Sequence, residues 1–382
     1  VILNGSTFSS HRQSPTVSGS LPNGTVVSSN SARCHRARTG DTSGRQSPFE
    51  GLPETVGFTL RGGASRMNES FVHDSVMLQE ILGVFSAMNT GVFVDCTLGG
   101  AGHTSAILSA HAELKALGID QDDIALSSAH TVLDDAGLSE RATLRRARFD
   151  EVSRIVAEEG IQSVAGILFD LGVSSPQFDV AERGFSYRFD APLDMRMDRS
   201  CEFSANNVVN EYDVDALINM LRTNADERYA VRIARAIVAA RPILSTVQLS
   251  EVVSSAIPAP ARRRGGHPAK RTFQAIRIEV NSELAILPGA IRDAISLLAP
   301  GARLAVLTFH SGEDRIVKSI MRSAETGDCT CPVGLPCACG AQRTVSRVRV
   351  PREAGKEELA RNPRASSARL RVVEKLSAEE RK

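Results

Sequence analysis

The residues Phe93-Val94-Asp95-Cys96-Thr97-Leu98-Gly99-Gly100-Ala101-Gly102-His103-Thr104 run from an apolar stretch through a cluster of glycines into a helix-compatible segment. Glycines there let a backbone approach a ligand closely, and the helix start that follows presents unpaired N–H donors. Asp120 closes the next apolar run, Ala116-Leu117-Gly118-Ile119-Asp120. Nucleotide-binding α/β folds place a ribose-binding carboxylate there, about twenty residues beyond the loop. The loop lacks the Gly-x-Gly-x-x-Gly spacing that seats a pyrophosphate. Asp95 just before it would repel a pyrophosphate but attract a cationic ammonium. The pattern favours S-adenosylmethionine over a nicotinamide dinucleotide.

Asp170 ends a further apolar run, Gly166-Ile167-Leu168-Phe169-Asp170. A carboxylate at the carboxyl end of a strand can accept hydrogen bonds from an exocyclic amine and localise its lone pair for attack on an in-line methyl group. It can equally cap a loop or hold the cofactor. His103 and His310 also fall at strand ends, where a histidine either lines a site or caps backbone. The densest cationic stretch is Arg262-Arg263-Arg264-Gly265-Gly266-His267-Pro268-Ala269-Lys270-Arg271, suited to a phosphate backbone or merely to solvent. Beyond it Phe273, Ile276, Val280 and Leu284 recur at helical spacing, with Lys270, Gln274, Arg277 and Asn281 on the opposite, polar face. Cys329, Cys331, Cys337 and Cys339 form C-x-C-x5-C-x-C. Four thiols so close could hold a structural zinc, although the spacing is not that of common knuckles, and a reduced Cys-rich loop is the alternative. Cys96 reads as a small core residue, and Cys34 and Cys201 carry no motif.

Strand-like runs at 92–96, 115–119, 142–147, 166–170 and 303–309 alternate with helix-like segments at 104–112, 122–136 and 149–159, the pattern of a parallel sheet with crossover helices. The rhythm breaks between Asp179 and about Asn281, which reads as a helical insertion. Near the C-terminus a basic stretch from Arg361 runs into an apolar strand ending at Val373. Residues 1–66 are rich in Ser, Gly, Thr and Arg and poor in acids, and no methionine precedes Met67. They read as a disordered extension, a transit segment or a mis-called start. With 45 Lys and Arg against 44 Asp and Glu, the net charge of +1 over 382 residues makes any nucleic-acid surface a local matter. No apolar run reaches the roughly 20 residues a membrane span needs, so no membrane partner and a cytoplasmic location are expected.

Taken together, Gly99 to His103, Gly118-Ile119-Asp120-Gln121-Asp122, the segment from Asp170 to Gln177, Arg183-Gly184-Phe185-Ser186, the segment from Pro192 to Asp198, the segment from His267 to Ile278 and Phe309-His310-Ser311-Gly312-Glu313-Asp314-Arg315 resemble the bacterial ribosomal small-subunit methyltransferase H family, also called MraW. The resemblance spans about Val72 to Val373. It implies an α/β Rossmann-like methyltransferase sheet with a helical insertion domain, divided as 67–180, the RNA-facing insertion 181–283, and 284–382. It further implies methylation of the exocyclic N4 of a cytidine in the decoding region of 16S rRNA, within the small ribosomal subunit, using S-adenosylmethionine.

By the same resemblance the cofactor contacts would be Ala101, Gly102, His103, Asp120, Phe149, Asp170 and Gln177, with Asp170 and His310 as catalytic candidates. Arg183, Arg196, Arg262, Arg263, Arg264, Lys270, Arg271 and Arg277 would face the RNA. The Asp/Asn-Pro-Pro-aromatic signature common to amino-methyltransferases is absent, and Leu171-Gly172-Val173-Ser174 stands in its place, which leaves the proton acceptor open. The competing readings are a methyltransferase acting on DNA or protein, and an RNA-binding assembly factor, zinc-containing or not, that keeps the fold without turnover.

Overall fold

A parallel strand buried on both faces is apolar along its whole length, since neither side meets water. The computed structural model describes residues 75–173, 177, 180–263, 266–332 and 337–381. It forms strands that are mostly apolar and buried in β1 (Gly91–Asp95), β2 (Leu114–Asp120), β4 (Val164–Asp170) and the later part of β5 (Leu298–Thr308), while the more polar β3 (Ala142–Arg146) takes an edge. Two shorter elements complete the sheet: β6 (Val345–Arg347) and β7 (Arg369–Lys375). Among the described residues the order is β3-β2-β1-β4-β5-β7-β6, parallel through β5, with β7 antiparallel to both β5 and β6. This is the α/β Rossmann-like methyltransferase class expected. The strand order reverses at β1, so a crevice opens between the carboxyl ends of β1 and β4, where open α/β sheets bind ligands.

Alternation within the strands supplies a core on each face. Ile167, Phe169, Leu304 and Val306 point into one layer with helices α4 (Val152–Glu158), α11 (Glu283–Leu297) and α12 (Ser311–Thr326). Leu168, Ala305 and Leu307 point into the other with α1 (Leu78–Phe85), α2 (Gly102–Ala110) and α3 (Asp123–Asp135). Between β4 and β5 the chain builds α5 (Ala205–Glu211), α6 (Val214–Ala225), α7 (Ala230–Ala239), α8 (Thr246–Ala256), the short α9 (Ala259–Arg262) and α10 (Lys270–Asn281). These pack on a separate apolar cluster that includes Leu217, Ile233, Leu249, Phe273 and Ile276. A further short helix, α13 (Lys356–Arg361), precedes β7.

The expected strands and helices recur with ends shifted by a few residues, and β5 starts earlier than expected, at Leu298. The sequence did not foretell β6 or the antiparallel insertion of β7 between β5 and β6. Residues 1–66 and Arg264 lie outside the described residues. No helix among the described residues is long and apolar enough to cross a membrane.

Gly184 ends the 3-10 turn Ala181–Arg183 at φ 69°, and an added Cβ would run into Pro192 O and, at 3.0 Å, Asp194 N. Gly137 has φ 67° but open space around it. Gly137→Ala should cost about 1–2 kcal/mol from left-handed strain alone, and Gly184→Ala about 3 kcal/mol or more because backbone must also move. Urea denaturation of the two variants checks the difference.

Candidate functional site

The loop after β1 is fixed from below. Asp95 is 1% exposed. It accepts the Thr104 hydroxyl at 2.7 Å and the Thr97 N–H at 3.2 Å, tying the strand end to the first turn of α2. Ala101 takes a left-handed conformation at φ 61°, and α2 begins at Gly102, where a Cβ would strike the Ser75 hydroxyl. Asp95 therefore sits beneath the loop with both oxygens engaged, and its charge acts on a ligand through the loop rather than by contact. Burial pushes its pKa up to about 6, against the lowering effect of the Thr104 bond.

At the end of β2, Asp120 receives the Gly99 N–H on Oδ2 and the Asp122 N–H on Oδ1, both at 2.9 Å. Each oxygen keeps a second lone pair for a ribose hydroxyl. Burial outweighs those bonds and raises its pKa to about 6. Across the crevice, the Asp170 N–H donates to the Thr97 hydroxyl at 2.6 Å. Among the described residues Asp170 Oδ1 is buried without a partner, while Oδ2 stands 3.6 Å from His103 Nδ1. Burial, and secondarily the nearby Glu313 carboxylate, raise Asp170 to about 7. His103 is itself buried, with Nε2 3.0 Å from Val76 O, and burial lowers its pKa. Phe149 opens the 3-10 turn after β3, half-buried, its ring edge-on to Phe169 at 5.9 Å. It forms a flat apolar wall near the crevice.

A buried latch joins the insertion to the sheet. Asp122 caps α3 through the Ile124 N–H and accepts Arg183 Nη1 at 2.8 Å and Gln177 Nε2 at 2.9 Å on Oδ2. Arg183 Nη2 donates to Arg196 O at 2.9 Å and more weakly to Met197 O, and Gln121 Nε2 reaches Met197 Sδ at 3.2 Å. Asn281 holds the same turn from α10, accepting the Met197 N–H and donating to Met195 O, each at 2.8 Å.

These placements correct several expectations. Arg183 is 2% exposed and cannot present a charge to RNA; it ties the insertion to Asp122 at the start of α3. Arg196 spends its guanidinium on both Asp194 oxygens and on Cys201 O, and Arg277 is paired through two nitrogens with Glu283, which is 9% exposed. The expected free polar face of α10 thus reduces to its first turn. Arg262, Arg263, Lys270 and Arg271 are exposed as expected. Asp226 connects that turn to the crevice, because its backbone carbonyl accepts Arg271 Nη1 at 3.3 Å while its carboxylate accepts the Ser311 hydroxyl at 3.1 Å, just beyond β5.

His310 caps α12: Nδ1 accepts the Gly312 and Glu313 N–H groups at 3.2 and 3.4 Å, and Nε2 lies 3.1 Å from Glu313 Oε1, out of line for a hydrogen bond. With its acceptor nitrogen occupied, His310 cannot take a proton from substrate in this arrangement. Thr97, Asp122, Glu283 and Glu313 were not singled out from sequence. The nearest signals were the Asp-x-x-helix spacing at Asp122 and the capping-box spacing of His310 and Glu313. The four clustered cysteines lie at the far end of α12, away from the crevice.

A profile described as the MraW methylase family matches residues 70–376. The chain belongs to the MraW methylase family. A protein of Brevibacillus brevis named ribosomal RNA small subunit methyltransferase H is 48% identical over 313 residues, covering 80% of this chain and 99% of that protein. A protein of the same name from Symbiobacterium thermophilum is 47% identical over 318 residues, covering 81% and 99%.

The methyl donor for this family is S-adenosylmethionine, and the crevice fits it. Asp120 offers acceptors for the ribose, Phe149 a wall for the adenine, and the start of α2 its N–H groups. Asp95, Asp120 and Asp170 are desolvated carboxylates short of counter-charge, a setting that a cationic sulfonium and ammonium complete.

Two outcomes follow. A carboxylate whose folded pKa is raised binds protons more tightly folded than unfolded, so these groups take stability from the free protein as pH climbs from about 4 to about 7. A cation favours their ionised forms. Affinity for S-adenosylmethionine should therefore rise about tenfold between pH ~5.5 and ~7.5, with less change for the product S-adenosylhomocysteine, which keeps the ammonium but has lost the sulfonium charge. Calorimetry in buffers of different ionisation enthalpy would register the released protons, and Asp170→Asn should flatten the profile. Arg183→Met should lower the stability of the free protein by about 3–5 kcal/mol, the cost of stranding a buried partner. An unchanged melting temperature would refute the latch.

Proposed function

We propose that this protein transfers a methyl group from S-adenosylmethionine to the exocyclic N4 of a cytidine in the decoding region of the small-subunit rRNA. The observation that carries the proposal is the near end-to-end match to relatives named as small-subunit rRNA methyltransferases. Two features of the site support it: the unpartnered Asp170 oxygen at the carboxyl end of β4, and the exposed cations on α9 and the first turn of α10 beside the crevice.

When bound, the cofactor supplies an electrophilic methyl on a cationic sulfur. The chain's part is to hold and desolvate the nucleophile. A cytosine amine is a weak nucleophile because its lone pair is delocalised into the ring. Asp170 Oδ1, accepting one amine hydrogen, would localise that pair and direct it along the transfer axis. As the new C–N bond forms and the S–CH3 bond breaks, the nitrogen becomes cationic and its proton passes to Asp170 or to water. A carboxyl group titrating near neutrality can take that proton and return it to solvent. No covalent enzyme intermediate is needed.

The target cytidine must be splayed from folded RNA, costing a few kcal/mol. Phosphate contacts from Arg262, Arg263, Lys270 and Arg271 would offset this, with Arg264 a further candidate outside the described residues. Arg183, Arg196 and Arg277 are left out of this contact set because their guanidinium groups are engaged within the protein.

Incubating the protein with labelled S-adenosylmethionine and small subunits lacking the modification should place label in N4-methylcytidine. Asp120→Ala should reduce kcat/KM about 10–100-fold, chiefly through KM for the cofactor. Label in another nucleoside, in DNA or in protein would replace the substrate. Retained RNA and cofactor binding without any transfer would favour the non-catalytic assembly factor.

A further inference from the structure

The connection from α12 to β6 buries no apolar side chain among its described residues. Its described residues, 327–332 and 337–344, carry no side chain larger than Cys or Pro among their apolar groups. The stem is nevertheless tightly defined. Gly327 turns at φ 61° with its backbone against Gln342, the Thr344 N–H donates to Ala324 O at 2.9 Å, and Arg343 Nε donates to Glu325 O at 3.1 Å. What organises the described residues projecting from that stem is not their own apolar burial but another contact.

The thiols supply it. In chain that is neither helical nor bent back, residues two apart face the same side, so each C-x-C offers two thiols in one direction. Cys329 Sγ lies 3.6 Å from Cys337 Sγ, Cys337 Sγ 3.5 Å from Cys339 Sγ, and Cys339 Sγ 3.6 Å from Cys329 Sγ. All four sulfur atoms lie within 4.8 Å of one another. A tetrahedral zinc with Zn–S bonds of about 2.3 Å sets its sulfurs about 3.8 Å apart, whereas a disulfide needs about 2.05 Å. The observed triangle has the tetrahedral edge. The Ala338 N–H donates to Cys331 Sγ at 3.3 Å, a hydrogen bond that favours the thiolate. Cys329 also borders a cavity of about 790 Å³ whose lining includes Arg292, Arg322 and Lys375.

We propose that Cys329, Cys331, Cys337 and Cys339 together bind one structural zinc ion. Four protein ligands leave no open position, so the ion does no chemistry on substrate. Binding displaces the remaining thiol protons to solvent with no change of oxidation state. Its effect is to give the α12–β6 connection a rigid centre and to hold the short edge strand β6 in place. The site stands at the opposite end of α12 from His310, roughly 24 Å away along a helix of this length, so it acts independently of the crevice.

The test is metal content. Full-length protein purified with a phosphine reductant and passed through metal-free buffer should carry about one zinc per chain. A mercurial should release that zinc in step with modification of the four loop thiols. Cobalt(II) added to the metal-free chain should give the charge-transfer and ligand-field bands of a tetrahedral tetrathiolate. The double variant Cys337→Ser/Cys339→Ser should lose the zinc while its S-adenosylmethionine affinity stays within about twofold. Reduced wild-type protein that neither carries zinc nor binds added zinc more tightly than micromolar overturns the proposal. So does zinc retained by the double variant, or mass spectrometry showing the four thiols paired as disulfides in freshly isolated protein. If the variant does not fold, the wild-type stoichiometry and the cobalt spectrum decide.

Discussion

The buried ion pair between Asp122 and Arg183 is the constraint through which the two halves of the molecule are made one. Asp122 belongs to the sheet, capping α3 directly after Asp120; Arg183 belongs to the insertion, and its Nη2 organises the turn at Arg196 and Met197. Neither charge is tolerable alone at 2–3% exposure. The pair therefore enforces a geometry as much as it adds stability. It fixes the distance between the floor of the crevice and the helical layer above it. Asn281 repeats the arrangement from the other side with neutral hydrogen bonds, so the Met195–Met197 turn is gripped by both partners.

Below that roof the crevice is dominated by carboxylates that burial has made reluctant to ionise. Asp95 has both oxygens engaged by the loop and α2, Asp120 keeps a second lone pair on each oxygen, and among the described residues Asp170 keeps one buried oxygen with no partner. The difference divides the labour. Asp95 shapes the loop and sets a negative potential, while Asp120 and Asp170 retain acceptor capacity for a ligand. Glu313, next along α12, accepts the N–H groups of Phe309 and His310 and so holds the end of β5 while raising the pKa of Asp170.

Much of this was readable in the residues. β1, β2, β4 and β5 announce themselves as apolar runs, and the positions of Asp120 and Asp170 at strand ends follow from where those runs stop. β6 and β7 were harder for a physical reason: one is three residues long, and the other's place is set by antiparallel pairing with β5 about sixty residues earlier in the chain, which leaves no local trace. Charge was the other blind spot. Arg183, Arg196 and Arg277 look like Arg262 and Lys270 in a sequence, and only packing shows that the first three are spent on Asp122, Asp194 and Glu283 while the others reach solvent. His310 was ambiguous for the same reason, since a ring that caps a helix and a ring that accepts a proton share a residue type and a strand-end position.

The place of β7 also governs how the chain can be made. β5 pairs with β4 on one side and with β7 on the other, and β7 is the last of the described elements in chain order. Until Arg369–Lys375 emerges, the nascent polypeptide carries β5 with one row of backbone donors and acceptors bare and Leu304, Val306 and Leu307 beside it. An open, apolar sheet edge is the feature most prone to pair with a neighbouring chain. The helical insertion, with its own apolar centre, emerges complete well before that moment. Assembly is thus biphasic: an early helical body, then a sheet that closes only once β7 has been made, so that truncation within β7 exposes a sticky edge.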